Sequence, residues 1–279
     1  MSGGAARGVF MLGALDVLVN ERGMRPRHFA GISIGALLAA ELAQAPLDGL
    51  PEALASLKEL WLRELPTRMR RGRRRAVLRA VLEERFDSDA LRRSGRCFRG
   101  GAVDLRSGRF VSCTEAELDV KRLRGMTAVP LLDRPVHIGD QRWVDGVLRH
   151  VVPLHEALAE APEHLLIMTA GAPTLAKGRG RIRRMVQIIG NELAFVKELR
   201  TAVAVCLAGG PRVEILTPTA DLPGPLRFDA DSLSRSFEHG RVTARGDGWR
   251  WSGGAPPPSY APFCPPWPRS DSSPSAPDT

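Results

Sequence analysis

Apolar residues recur at two different spacings along this chain, and together they predict alternating helices and strands. Val9, Leu12, Leu15 and Val19 follow the three-to-four-residue period of an amphipathic helix. Helical periodicity predicts helices over 8–20, 34–44, 51–64, 74–85, 183–207 and 232–244. Short apolar runs predict strands over 29–32, 101–105, 110–113, 136–138, 142–144, 165–169 and 212–216. The alternation favours an α/β fold, a three-layer α/β/α sandwich with a mostly parallel central sheet.

A serine flanked by two glycines follows the predicted strand 29–32. The segment is Gly31-Ile32-Ser33-Ile34-Gly35, and it leads directly into the predicted helix 34–44. On a sharp strand-to-helix turn the serine hydroxyl stands clear of the backbone, and the glycines permit the close approach that the turn requires. Ser33 is therefore a candidate nucleophile.

A loop of small residues precedes the first predicted helix. It is Gly3-Gly4-Ala5-Ala6-Arg7-Gly8. A loop that leads into a helix leaves backbone N–H groups pointing outward, with the positive end of the helix dipole behind them. Such a loop can hold an oxyanion.

A third segment, Trp143-Val144-Asp145-Gly146-Val147, places an aspartate at the end of a predicted strand. Ligand sites in open parallel sheets lie beyond the carboxyl ends of the strands, so this carboxylate can share a cleft with Ser33. The sequence thus indicates one site made of serine, carboxylate and amide loop.

In this order, the three segments resemble the patatin-like phospholipase family, which carries a Gly-Gly-Gly-x-Arg/Lys-Gly loop, a Gly-x-Ser-x-Gly elbow and an Asp-Gly-Gly or Asp-Gly-Ala segment. Met126-Thr127-Ala128-Val129-Pro130, Pro135-Val136 and Pro153-Leu154 resemble the stretch around the family's second catalytic residue. The resemblance spans about 3–154 and extends more loosely to about 245.

The resemblance implies a Ser-Asp dyad hydrolase that forms an acyl-enzyme on Ser33, with Asp145 as general base. It also implies an oxyanion hole built from Gly3, Gly4 and Ala5, with Arg7 and Gly8 completing the loop. The expected reaction is cleavage of fatty-acyl esters, as in a phospholipase A, without a metal or other cofactor.

The chain departs from the family pattern at two motif positions. Ala5 replaces the third loop glycine, and its Cβ opposes a positive φ angle. Val147 replaces the small residue after Asp145-Gly146, which an extended backbone tolerates.

The two ends of the chain also depart from the family. Only Met1 and Ser2 stand where the family has an apolar strand, so we expect either a start further upstream or a weakened sheet. Residues 251–279 are rich in Pro and Ser, and this composition predicts a disordered tail after a single acyl-hydrolase domain over 1–250.

Charge and composition suggest where the protein works. The formal net charge is +9, and arginines cluster at 68–79, 92–99 and 179–184. These arginines would attract an anionic membrane surface, or they decorate solvated helix faces. The scarcity of aromatic residues among them disfavours nucleic-acid binding. Four cysteines without metal spacing, and no long apolar run or leader sequence, predict a cytoplasmic enzyme that can associate peripherally with membranes.

Two alternative functions stay open. A catalytically impaired relative could bind membranes or a partner, as Ala5, the short amino terminus and the tail suggest. A soluble carboxylesterase could instead use a His-containing triad, because His150, His155 and His164 follow Asp145.

Overall fold

The structure, a computed structural model, describes residues 1–71, 74–130, 132–171 and 197–246. The helices are α1 (Val9–Asn20), α2 (Ile34–Ala43), α3 (Leu50–Glu59), α4 (Leu65–Arg71), α5 (Arg74–Arg85), α6 (Ser88–Arg93), α7 (Val120–Met126), α8 (Leu154–Leu158), α9 (Lys197–Leu207) and α10 (Ala230–Arg245). The strands are β1 (His28–Gly31), β2 (Cys97–Asp104), β3 (Phe110–Thr114), β4 (Val136–Ile138), β5 (Gln141–Asp145), β6 (His164–Met168) and β7 (Arg212–Leu216). The predicted tail and most of the predicted helix 183–207 lie outside the described residues.

Parallel strands form the centre of the molecule. Strand β1 pairs parallel with β2, and β6 pairs parallel with β7. Strands β3 and β5 add to β2 in antiparallel orientation, and β4 adds to β5. The predicted α/β class with a mostly parallel central sheet is confirmed, and the antiparallel strands extend it on one side.

The first two residues lie between the β1 and β6 edges. The Met1 amine donates to Ala30 O at 2.7 Å, and Ile32 N donates to Met1 O at 3.2 Å, which is a parallel pairing. Ser2 N donates to Met168 O at 3.0 Å, so these residues join the two groups of strands. A cavity of about 320 Å³ begins at Met1 and separates the rest of β1 from β6.

The main core lies between the sheet and the first helices. Helices α1 and α2 bury nearly all of their residues, since both are apolar around most of their circumference. Helix α2 contacts β1 and β2, and α1 is covered by α3 and α10. The core thus holds both ends of the turn that carries Ser33.

The predicted helix 51–64 runs on further than expected. Helix α3 continues through a π-helical turn, Leu60–Glu64, into α4. Pro66 is the second residue after that turn and has no N–H to donate, so a local change in the hydrogen-bond pattern lets the helix pass it.

Candidate active site

Ser33 occupies a strained turn between β1 and α2. Its backbone has φ 54° and ψ −124°, a conformation that is rare for a residue with a side chain. A Cβ on Gly31 would lie 2.1 Å from Gly35 O, and a Cβ on Gly35 would lie 2.5 Å from Met1 O. Only glycine therefore fits on either side of the turn.

The Asp145 carboxylate lies against the Ser33 hydroxyl. Ser33 Oγ donates to Asp145 Oδ2 at 2.6 Å, and Val147 N donates to Oδ1 at 2.9 Å. Asp145 is fully buried, and Ser33 is 7% exposed. Both carboxylate oxygens are thus held in fixed directions, and one of them is aimed at the hydroxyl.

Sheet register explains why these two side chains meet. The sequence pattern predicts Asp145 at the carboxyl end of a parallel strand, and the structure differs on this point. Strand β5 runs antiparallel to β2, so Asp145 is not at the carboxyl end of a parallel strand. Gly31 pairs with Gly100, whereas Asp145 pairs with Ala102. Ser33, two residues after Gly31, therefore lies level with Asp145 across β2.

Burial makes Asp145 a better base than an ordinary aspartate. The pKa of Asp145 is raised from 3.8 to about 6, mainly because burial desolvates the carboxylate, and the nearby Asp133 acts in the same direction. The hydrogen bonds from Ser33 and Val147 act in the opposite direction. The carboxylate therefore has an increased proton affinity and is still ionised at neutral pH.

The small-residue loop flanks the nucleophile. A Cβ on Gly3 would lie 3.3 Å from Ser33 Cβ, and a Cβ on Gly8 would lie 2.7 Å from Ile34 Cγ1. Ala5 adopts φ 50°, so it takes the left-handed conformation despite its Cβ. The loop thus packs directly on the turn that holds Ser33.

Hydrogen bonds distinguish the amides of this loop. Gly3 N donates to Val151 O at 3.2 Å. Within the described residues, the amides of Gly4 and Ala5 in the loop, and the amide of Ile34 directly after Ser33, donate to no backbone carbonyl. These amides remain available to a ligand.

Arg7 and the Asp-Gly segment have structural contacts. Arg7 Nε donates to Pro223 O at 2.9 Å, which ties the loop to the segment before α10. A Cβ on Gly146 would lie 2.7 Å from Gly101 O, so the turn after Asp145 packs tightly on β2. Val147 and Leu148 lie in a 3₁₀ turn, Gly146–Leu148, so the extended backbone expected at Val147 was wrong. Their side chains point outward enough to leave 37% and 52% of their surface exposed.

The three histidines considered for a triad, His150, His155 and His164, lie apart from the Ser33–Asp145 hydrogen bond. His150 Nδ1 lies 2.8 Å from Glu198 Oε1, and that carboxylate raises the pKa of the imidazole. His164 lies 3.4 Å from Glu214, and His155 is exposed on α8. Ser33 is thus hydrogen-bonded to a carboxylate directly.

The basic clusters are less uniform than the sequence suggests. Arg96 is buried, and its guanidinium donates to carbonyl oxygens of Ala45, Pro26, Pro46 and Leu47, so its expected place on a basic surface was wrong. Several exposed arginines pair with carboxylates of their own helices, as Arg79 does with Glu83 at 2.8 Å. The arginine cluster at 179–184 lies outside the described residues.

No helix among the described residues combines the length and apolar character needed to cross a bilayer.

The chain is similar to a solved structure and to a protein-family model. The solved structure of VipD from Legionella pneumophila matches this chain with a TM-score of 0.42 and 12% sequence identity. The match covers 86% of this chain and 66% of VipD. No curated protein sequence matches the chain. The family model described as Patatin-like phospholipase matches residues 1–158, more than half of the 279 residues and the part that contains the loop, Ser33 and Asp145. The chain belongs to the patatin-like phospholipase family.

Proposed function

We propose that the protein is a serine lipid acyl hydrolase that cleaves fatty-acyl esters, as a phospholipase A does, through an acyl-enzyme on Ser33. The observation that carries the proposal is the 2.6 Å hydrogen bond from Ser33 Oγ to the buried Asp145 carboxylate. Family membership supports lipid acyl hydrolysis in general. The assignment of each residue rests on the geometry.

Asp145 acts as the general base in both half-reactions. As Ser33 Oγ attacks the ester carbonyl carbon, its proton passes to Asp145 Oδ2. Collapse of the tetrahedral intermediate releases the alcohol, which takes that proton, and leaves the acyl group on Ser33. Asp145 then takes a proton from water as the water attacks, and Ser33 recovers a proton when the fatty acid leaves. A base with a pKa of about 6 suits both steps near neutral pH.

The oxyanion is stabilised by backbone amides beside Ser33. Gly4, Ala5 and Ile34 supply the donors that have no partner among the described residues, whereas Gly3 donates to Val151 O. Ile34 also begins α2, whose dipole favours negative charge there. Loss of one such donor costs about 3–4 kcal/mol in the barrier.

Apolar surface beside the dyad fits a fatty-acyl substrate. Val147 lies next to the loop, since a Cβ on Gly3 would be 3.4 Å from Val147 Cγ2. Leu148 extends this surface outward. Peripheral attachment to an anionic membrane is part of the same proposal, with the exposed arginines of α4 to α6 as the attracting charges.

The histidine contacts favour the dyad over a His-containing triad. Asp145 uses its two oxygens on Ser33 and Val147, while His150 and His164 contact glutamates. An acyl-enzyme made without histidine is therefore the simpler mechanism.

Hydrolysis of phospholipid vesicles tests the proposal. Ser33→Ala and Asp145→Asn should each lower the rate of fatty-acid release by roughly 10⁴-fold. His155→Ala, on the exposed face of α8, is the matched control and should keep the wild-type rate. Hydrolysis that survives Ser33→Ala, or a folded wild-type protein with no acyl-ester activity, would contradict the proposal.

A further inference from the structure

One imidazole, one thiol and one carboxylate come together far from Ser33. His28, Cys97 and Glu160 each offer one ligand atom, and these atoms lie within 4.8 Å of one another. His28 Nδ1 is 3.5 Å from Glu160 Oε2. We propose that these three side chains bind a divalent cation of the zinc class.

Strand pairing creates this arrangement. His28 and Cys97 are the first residues of β1 and β2, and they are direct partners in the parallel register. Glu160 lies two residues after α8, on the connection to β6. Spacing along the sequence does not indicate the site, because its ligands come from three separate segments.

The ligand atoms suit zinc in type and in spacing. Zinc binds thiolate, imidazole and carboxylate with bonds of about 2.0–2.3 Å, so neighbouring ligands in a tetrahedron lie about 3.4–3.7 Å apart. The distance between His28 and Glu160 already meets this requirement. Closing the remaining separations requires a side-chain movement of about 1 Å. His28 has 48% of its side chain exposed, so solvent can fill the fourth position.

The neighbouring charges leave room for a dication. Arg99 contacts Glu160 Oε1, which turns Oε2 towards His28, and Arg99 also contacts Glu115 at 2.8 Å. The Cys97 thiol would release its proton on binding the cation, and the negative charges of Cys97, Glu160 and Glu115 would then exceed the single positive charge of Arg99 by two. A bound dication would therefore neutralise the group, while Arg99 orients one of its ligands.

The expected role of the cation is to hold two parts of the sheet together. His28, Arg99 and Glu160 line the cavity between β1 and β6, and Glu160 leads into β6. Met1 and Ser2 join these strands at one end of the cavity. A cation would join them near the other end, about 16 Å along β1 from Ser33 if each residue advances about 3.3 Å.

Cobalt and zinc binding to the purified, tag-free chain under reducing conditions test this inference. We expect one Co²⁺ per chain, with the intense visible bands of tetrahedral coordination and a thiolate-to-metal charge-transfer band in the near ultraviolet. Zinc should displace the cobalt and raise the thermal unfolding temperature.

Variants show whether these residues are the ligands. Cys97→Ser should abolish the charge-transfer band and weaken zinc binding by at least about 100-fold, more than loss of most outer-shell partners costs. Cys206→Ser, which replaces a partly buried thiol on α9, should leave binding unchanged. Glu160→Gln and His28→Ala should each weaken binding, and they remain informative if Cys97→Ser fails to fold. Absence of stoichiometric binding, or equal binding in the folded variants, would overturn the inference without affecting the role of Ser33.

Discussion

Replacing Asp145 with asparagine should abolish activity and stabilise the protein at neutral pH. The carboxyl has a pKa of about 6 in the folded protein and 3.8 as a model value for the unfolded chain. Because the folded pKa is the higher one, the protonated Asp145 carboxyl favours the folded state. This contribution to stability is complete below about pH 3.8 and is lost as the pH rises through about 6. Above that pH, the buried carboxylate costs stability.

The magnitude follows from these two pKa values. Their difference is about two pH units, and each unit corresponds to about 1.4 kcal/mol, so the ionised group costs about 3 kcal/mol. Asparagine is neutral at every pH, and it can accept from Val147 N while donating to Ser33 Oγ. The variant should therefore be about 3 kcal/mol more stable at pH 8, a rise of about 6–12 °C in melting temperature, and close to wild type at pH 4.

Denaturant and thermal unfolding of both proteins from pH 4 to pH 8 measure this difference. Asp140→Asn, at an exposed carboxylate of the β4–β5 hairpin, controls for the loss of one negative charge. Ser33→Ala is a second control, because it removes a hydrogen bond to the carboxylate and should not stabilise the protein at neutral pH. If the difference in unfolding free energy between Asp145→Asn and wild type were the same at pH 4 and pH 8, the reasoning would be refuted.

Three further predictions concern pH, the loop and the substrate. The kcat/KM for ester hydrolysis should fall below about pH 6 as Asp145 is protonated, and Asp133→Asn should move this fall to lower pH because Asp133 raises the pKa of Asp145; identical profiles would contradict that coupling. Ala5→Gly should raise the unfolding free energy by about 0.5–1 kcal/mol and keep activity, because glycine adopts a positive φ without strain. Ala6→Gly is the control, because Ala6 is buried and has no positive φ, and it should lower the unfolding free energy. Leu148→Ser should raise KM for long-chain esters more than for short-chain esters, whereas Val242→Ser on the exposed face of α10 should change neither; equal effects on both chain lengths would remove the Asp145 turn from the acyl site.

Much of the fold follows from local patterns in the sequence. The helix after the loop, the strand before Ser33 and the helix behind it lie within a residue or so of their predicted bounds, since strong apolar periodicity and glycines define them. The short helices α6 and α7 were missed. Each begins at an aspartate whose side chain accepts backbone N–H bonds, Asp87 and Asp119, and this capping signal was available in the sequence.

Other features depend on contacts between distant segments. Packing between such segments determines three features that the sequence did not predict. They are the antiparallel direction of β5, the burial of Arg96 and the hydrogen bond from Gly3 N to Val151 O. The sequence predicted Ser33 and Asp145 as site residues, and the structure brings them into contact. Their catalytic roles, and the tail at 251–279, remain predictions.

Labelling with a fluorophosphonate, followed by peptide mapping by mass spectrometry, tests the role of Ser33 most directly. A bond would form from Ser33 Oγ to phosphorus, fluoride would leave, and Asp145 would take the hydroxyl proton. We predict one adduct per chain, on Ser33, that is lost in Ser33→Ala and forms far more slowly in Asp145→Asn. A folded protein that gains no adduct, or gains it on another residue, would contradict the account.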